Sequence, residues 1–318
     1  AVRLYYFLQL NGFRTLRDIN AVNTRYIQVT NNVVKQIKAK DVRRFVREWS
    51  EERCLNENVR NLIVNSMKFS ETSLENLKEV ELDFSNFTHN TQLFFFPNNN
   101  VEVTPKEIIV HQRGDTAFNH YVWEENVLKH NFKPLPDMFK LTCLDKENNL
   151  YDIDVLDCKS SPIFGYVINT SRLHWRKEME ERFEDNPEEA KAYAEKHRFC
   201  INGEGLTEDE IREQKQNLAN KIFAIGYMLH RFKSPSRAWA PQAMDNKIGE
   251  NGECNGRSGK SFLFKTLSLF MKSVKLSGRN PKLMDNPHVF DQVNVHTDFV
   301  LVDDCAQYLS MGLFYDII

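Results

Sequence analysis

Gly259-Lys260-Ser261 has the residue types of a loop that closes on a triphosphate. Backbone N–H groups make the cradle, so glycines must stand where a Cβ would block close approach. A lysine then reaches the β/γ-phosphates, and a serine hydroxyl ligates Mg²⁺. The expected nucleotide-contacting run is Asn255, Gly256, Arg257, Ser258, Gly259, Lys260, Ser261 and Phe262. The apolar residues from Phe262 to Phe270 predict a helix that starts at the lysine. Its positive dipole end would face the phosphates. The usual pattern has a further glycine four residues upstream of the Gly-Lys-Ser, and Cys254 stands there, flanked by Gly252 and Gly256. The loop is still glycine-rich, but its first turn must differ.

A second constellation strengthens the first. Asp298-Phe299-Val300-Leu301-Val302-Asp303-Asp304 is an apolar run ending in two acids. A buried parallel strand delivers a Mg²⁺-organising carboxylate beside phosphates in this way. The separation from Ser261 to Asp303 leaves room for a helix, a loop and one more strand, expected within 280–295. The strand leading into the loop is expected within Ala238 to Ile248, where Pro241 is an obstacle to a central strand.

The elements that must position these residues follow from periodicity. Asp41 to Arg53 repeats Val42, Phe45, Val46 and Trp49 on one face, with Asp41 expected as cap. Helices are also expected at Asn58 to Phe69 and Ser73 to Val80. Thr91 to Phe96, a turn at Pro97 to Asn100, and Val101 to Val103 read as strand, turn, strand, extended by Lys106 to Val110. Three consecutive phenylalanines there fit a buried strand better than a base-stacking platform. Short strands are expected at Met138 to Leu144 and Leu150 to Leu156. Long helices are expected at Ile163 to Phe183 and Pro187 to Phe199. Thr207 and Glu210 make a capping box for a helix running to about Phe232. The chain therefore reads as an α+β N-terminal region, residues 1–232, mostly helical with a small β unit. An incomplete α/β P-loop module follows at 233–318, after a boundary at Lys233-Ser234-Pro235-Ser236.

Composition narrows the classes. The chain has 318 residues with 41% hydrophobic and 27% charged content, ordinary for a globular protein. No apolar run approaches the roughly 18–20 residues that span a bilayer. Six scattered cysteines form no Cys-x-x-Cys pair, and a reducing cytosol fits them. Net charge is −2, but residues 1–70 carry 13 basic and 6 acidic side chains, while residues 71–160 carry 8 and 16. The basic block, centred on Lys38, Lys40, Arg43, Arg44 and Arg47, has the charge to meet phosphate backbones, but a solvated helix face fits it better.

Taken together, Asn255 to Ser261, Val302-Asp303-Asp304, the preceding Gly226 to Lys233 and the stretch Thr170 to Glu178 resemble the superfamily 3 helicases. The resemblance is to the primase-helicases of phages and mobile elements, related to the poxvirus-type primase-helicase. It is specific over 220–318 and general over 1–219. It implies an AAA+-like ATPase that assembles as a homo-oligomeric ring, usually a hexamer, on single-stranded DNA in a bacterial host cytoplasm. ATP and Mg²⁺ are the implied cofactors. By the resemblance, Lys260 matches the phosphate lysine, Ser261 and Asp303 hold the metal, and Asp304 polarises the attacking water. The family's sensor residue, pore loop and arginine finger lie beyond the second motif. The chain is thus expected to be a fragment that hydrolyses ATP poorly alone. No cluster of acids followed by Ser-x-His marks a primase site in it. A different P-loop ATPase, such as a packaging motor or regulatory AAA+ protein, and a non-catalytic recruitment module stay open as alternatives.

Overall fold

The computed structural model describes residues 2–17, 25–236, 239–244, 259–279, 286, 288–294 and 296–305. The fold is mixed α+β with several small sheets, and it divides into two compact units, 1–132 and 133–318. The boundary expected at 232/233 falls inside the second unit.

In the first unit, α1 (Val2–Leu10) leads into β1 (Phe13–Leu16), β2 (Arg25–Thr30) and β3 (Val33–Gln36). Next come α2 (Ala39–Glu52), α3 (Glu57–Val64), a 3₁₀ turn at Met67–Phe69 and α4 (Glu71–Leu74). Short strands β4 (Glu79–Val80), β5 (Gln92–Phe95), β6 (Asn99–Val103), β7 (Ile108–Gln112) and β8 (Val122–Trp123) complete it. One sheet has the order β4-β1-β2-β3-β8, and β5-β6-β7 form an antiparallel meander. This region is richer in strands than the mostly helical expectation. Strands β1 and β3 are four residues long, too short to show a period of two, and they gain their identity from pairing with β2.

The first core forms where α1 and α2 cover this sheet. Leu8, Phe13, Val42, Val46, Phe69 and Leu74 are buried together, with Phe45 packed against them. The α2 spacing thus does what its periodicity predicts. Its cap differs from expectation: Lys38 is the N-cap, and Asp41 sits at the third helical position, where its carboxylate accepts from the Lys38 N–H at 2.9 Å. The helix expected over Ser73 to Val80 ends at Leu74, because the chain turns to pair in parallel with β1 through Thr15 N–H to Lys78 C=O. The expected 58–69 helix likewise breaks after Val64 into the 3₁₀ turn. Phe95 and Phe96 are buried, as a core strand requires.

The second unit opens with the antiparallel hairpin of β9 (Phe139–Asp145) and β10 (Leu150–Val155). Then come α5 (Pro162–Asn169), a π-helical turn at Arg176–Glu181, α6 (Pro187–Lys196) and α7 (Glu208–Leu229). The expected 163–183 helix is therefore split. At the break, Ser171 and Arg172 are buried: Ser171 Oγ donates to Val167 O at 2.7 Å, and Arg172 turns inward to Glu178. α7 begins with the expected capping box, Glu210 N–H to Thr207 Oγ1 at 3.3 Å and Thr207 N–H to Glu210 Oε2 at 2.7 Å. The unit's core joins Ile153 of the hairpin, Phe164, Val167 and Ile168 of α5, and Leu218 of α7. Each such buried apolar side chain contributes about 1.5–3 kcal/mol. The last described elements are α8 (Lys260–Leu267), β11 (Ser273–Ser277) and β12 (Phe299–Asp303).

Candidate nucleotide site

α8 starts at Lys260, as the loop pattern predicts, and Gly259 is its N-cap with φ of +81°. That left-handed conformation favours glycine. Space demands it too, because a Cβ at Gly259 would lie 1.8 Å from Tyr166 Oη. The Gly259 carbonyl accepts from Phe262 N–H at 3.0 Å and Leu263 N–H at 3.3 Å, which winds the first turn. Ahead of that turn the helix presents the positive end of its dipole to the loop. Leu263 anchors the helix in the core beside Ile168 and Leu218, and Phe262 lies largely exposed.

β12 supplies the second half. It runs parallel to β11 in the register Ser273↔Phe299 to Ser277↔Asp303. β11, at 273–277, precedes the 280–295 window in which another strand was expected. Among the described residues that window contains none, and neither does 239–244, where the strand before the loop was expected. The rest of both windows, and Asn255, Gly256, Arg257 and Ser258 of the loop, lie outside the described residues. The start of β12 is fixed by Asp298, whose carboxylate accepts from Lys272 N–H at 2.7 Å and pairs with Arg231 Nε at 2.8 Å. Its end is fixed by Gly278 N–H to Asp303 O at 2.7 Å.

These elements bring Ser261 and Asp303 together: Ser261 Oγ donates to Asp303 Oδ1 at 2.6 Å. The other carboxylate oxygen faces two cations, Lys275 Nζ at 2.8 Å and Lys265 Nζ at 3.7 Å. Lys275, then the Ser261 hydroxyl, hold the Asp303 carboxyl at about 2, below its ordinary range. Asp303 in turn pushes the Lys275 amine up. Lys260 is half-buried at the head of α8. Asp304 is placed differently from Asp303. It has a left-handed φ of +56°, is exposed, and points its carboxylate toward Arg279 Nε at 3.5 Å.

Ser261 and Asp303 offer hard oxygen donors side by side, the chemistry that Mg²⁺ selects. Among the described residues no group of three or more His, Cys, Asp or Glu converges to hold a metal alone. A hard cation at Ser261 and Asp303 would thus draw further oxygen ligands from phosphate and water.

Three contributors escaped the sequence reading. Lys275 shares the exposed face of β11 with Ser273 and Ser277 and alternates with Val274 and Leu276, a period of two that marks it once the strand is recognised. Lys265 lies one helical turn beyond Ser261, on a helix already expected. Tyr166 carries no signal in the sequence, since its contact with Gly259 spans 93 positions. Comparison of the chain with protein-family models, curated proteins and solved structures gives no match.

Proposed function

We propose that this chain carries the ATPase part of an ATP-dependent DNA helicase of superfamily 3 type, serving phage or mobile-element replication. The observation that supports the reading best is the 2.6 Å contact between Ser261 Oγ and Asp303 Oδ1 at the head of α8. It joins two motifs 42 positions apart, and each carries the residue type that a Mg·ATP site requires at that place.

In this reading Lys260 and the first-turn amides of α8 bind the phosphates of ATP, and Gly259 lets the backbone approach them. Ser261 and Asp303 hold Mg²⁺, which supplies charge neutralisation on the phosphate oxygens when bound. Asp304 orients the attacking water after leaving Arg279. Coupling to single-stranded DNA and ring assembly rest on the resemblance.

Titration of a fluorescent ATP analogue into wild type and Lys260→Ala tests the nucleotide step. Wild type should bind in a Mg²⁺-dependent way, and Lys260→Ala should lose binding by tenfold or more. Equal weak binding by both would remove the reading. Stimulation of ATP turnover by single-stranded DNA separates a helicase from other P-loop ATPases. The outward carboxylate of Asp304 favours a second reading, nucleotide binding without turnover. A wild type that binds Mg·ATP yet turns it over no faster than Asp304→Asn would support that one.

A further inference from the structure

We infer that Tyr166, on α5, is a positioning residue of the nucleotide site, holding the Gly259 carbonyl and with it the turn from which α8 begins. The inference rests on the phosphate-binding reading of that turn.

Tyr166 Oη donates to Gly259 O at 2.6 Å. That carbonyl is the N-cap acceptor of α8, already bonded to Phe262 N–H and Leu263 N–H. A third donor fixes the orientation of the peptide plane between Gly259 and Lys260. The opposite end of that plane is the Lys260 N–H, which in the proposed function donates to a phosphate. A rotation of the peptide would misdirect it, and donor direction governs hydrogen-bond strength.

The surroundings of the hydroxyl make the clamp specific. The Tyr166 ring meets Phe262 edge-on, with centroids 4.8 Å apart at 67°. Tyr166 Oη stands 1.8 Å from where a Gly259 Cβ would be, and Thr170 Cγ2 stands 3.5 Å from it. Tyrosine and glycine are therefore matched in shape. Burial pushes the Tyr166 phenol up from its ordinary value, so the hydroxyl stays protonated and donates. The base of the clamp is firm, since Phe164, Val167 and Ile168 of α5 are buried in the same core that holds Leu263 of α8.

Tyr166→Phe removes the donor and keeps the ring. In the full chain without nucleotide, amide hydrogen exchange should quicken across 259–263 while α7 keeps its wild-type protection and the unfolding midpoint falls by less than in Tyr166→Ala. Mg·ATP affinity should fall about fivefold, the equivalent of one hydrogen bond. Loss of ring packing alone would move the midpoint, and Tyr166→Ala shows what that loss looks like. Wild-type exchange and affinity in Tyr166→Phe, with binding still abolished by Lys260→Ala, would overturn the inference and leave the nucleotide site standing. Failure of wild type itself to bind Mg·ATP would overturn both.

Discussion

Ser261 Oγ lies 2.6 Å from Asp303 Oδ1, which ties the first turn of α8 to the last residue of β12. A hydroxyl–carboxylate bond is charge-assisted and stronger than a neutral one. It closes a segment that includes β11, so the parallel pair and the helix are held in one arrangement before any ligand arrives. A double-mutant cycle of Ser261→Ala and Asp303→Asn, by urea unfolding without Mg²⁺ or nucleotide, should give a coupling of about 1 kcal/mol. A coupling of zero would mean the two side chains act separately.

Lys275 occupies the oxygen of Asp303 that Ser261 leaves. A cation binding there must compete with the amine. Lys275 is about half exposed, 54% by side chain, so solvent screens the pair and an incoming cation can displace the amine. Lys275→Met should therefore tighten Mn²⁺ binding to the nucleotide-free chain by up to about fivefold, measured by electron paramagnetic resonance. Weaker Mn²⁺ binding in the variant would show that Lys275 supports the site instead of guarding it.

Glu210 offers a test by pH. It closes the capping box of α7 and pairs with Lys177 Nζ at 2.7 Å. Lys177, then the Thr207 N–H, lower its carboxyl from an ordinary 4.5 to about 2. The folded value lies below the unfolded one, so the stabilisation is present above about 4.5 and is lost as the pH falls through about 2. Glu210→Gln keeps a capping acceptor but removes the charge. Wild type should be the more stable at pH 7, and the gap should close between pH 4.5 and 2. A constant gap across that window would assign the effect to shape and not to charge.

Local chemistry made much of this legible in sequence. Thr207 and Glu210 announced the start of α7, Gly259-Lys260 the start of α8, and the apolar run into Asp303 the end of β12. Each is decided within a few residues. What stayed hidden is decided at long range. β4 exists because β1 captures Lys78 and Val80, and the expected helix there gives way. The 163–183 helix breaks because Arg172 finds Glu178 and Ser171 bonds back to Val167. At the site, Ser261 and Asp303 were foreseen by type. Lys275 was missed because β11 was placed too late in the chain, and Tyr166 because its partner lies on another helix.

Arg172 and Glu178 make the strongest claim about stability in the second unit. Both side chains are almost wholly buried, at 2% and 0% exposure. Arg172 NH2 pairs with Glu178 Oε1, Arg172 Nε donates to Oε2 at 3.3 Å, and Tyr193 Oη donates to Oε1 at 2.9 Å. The guanidinium also covers the Trp175 ring at 4.2 Å. Gly203 is required beside this network, since a Cβ there would lie 2.5 Å from the Glu178 carboxylate. Removing one partner leaves the other charge buried and unpaired, at a cost of about 3–5 kcal/mol. Removing both exchanges two desolvated charges for apolar volume, which costs less. Arg172→Met should therefore destabilise the unit more than the Arg172→Met, Glu178→Leu double variant, as read from urea midpoints. If the double variant is the less stable by the sum of the two single losses, the pair acts by packing, and charge burial is not what sets its worth.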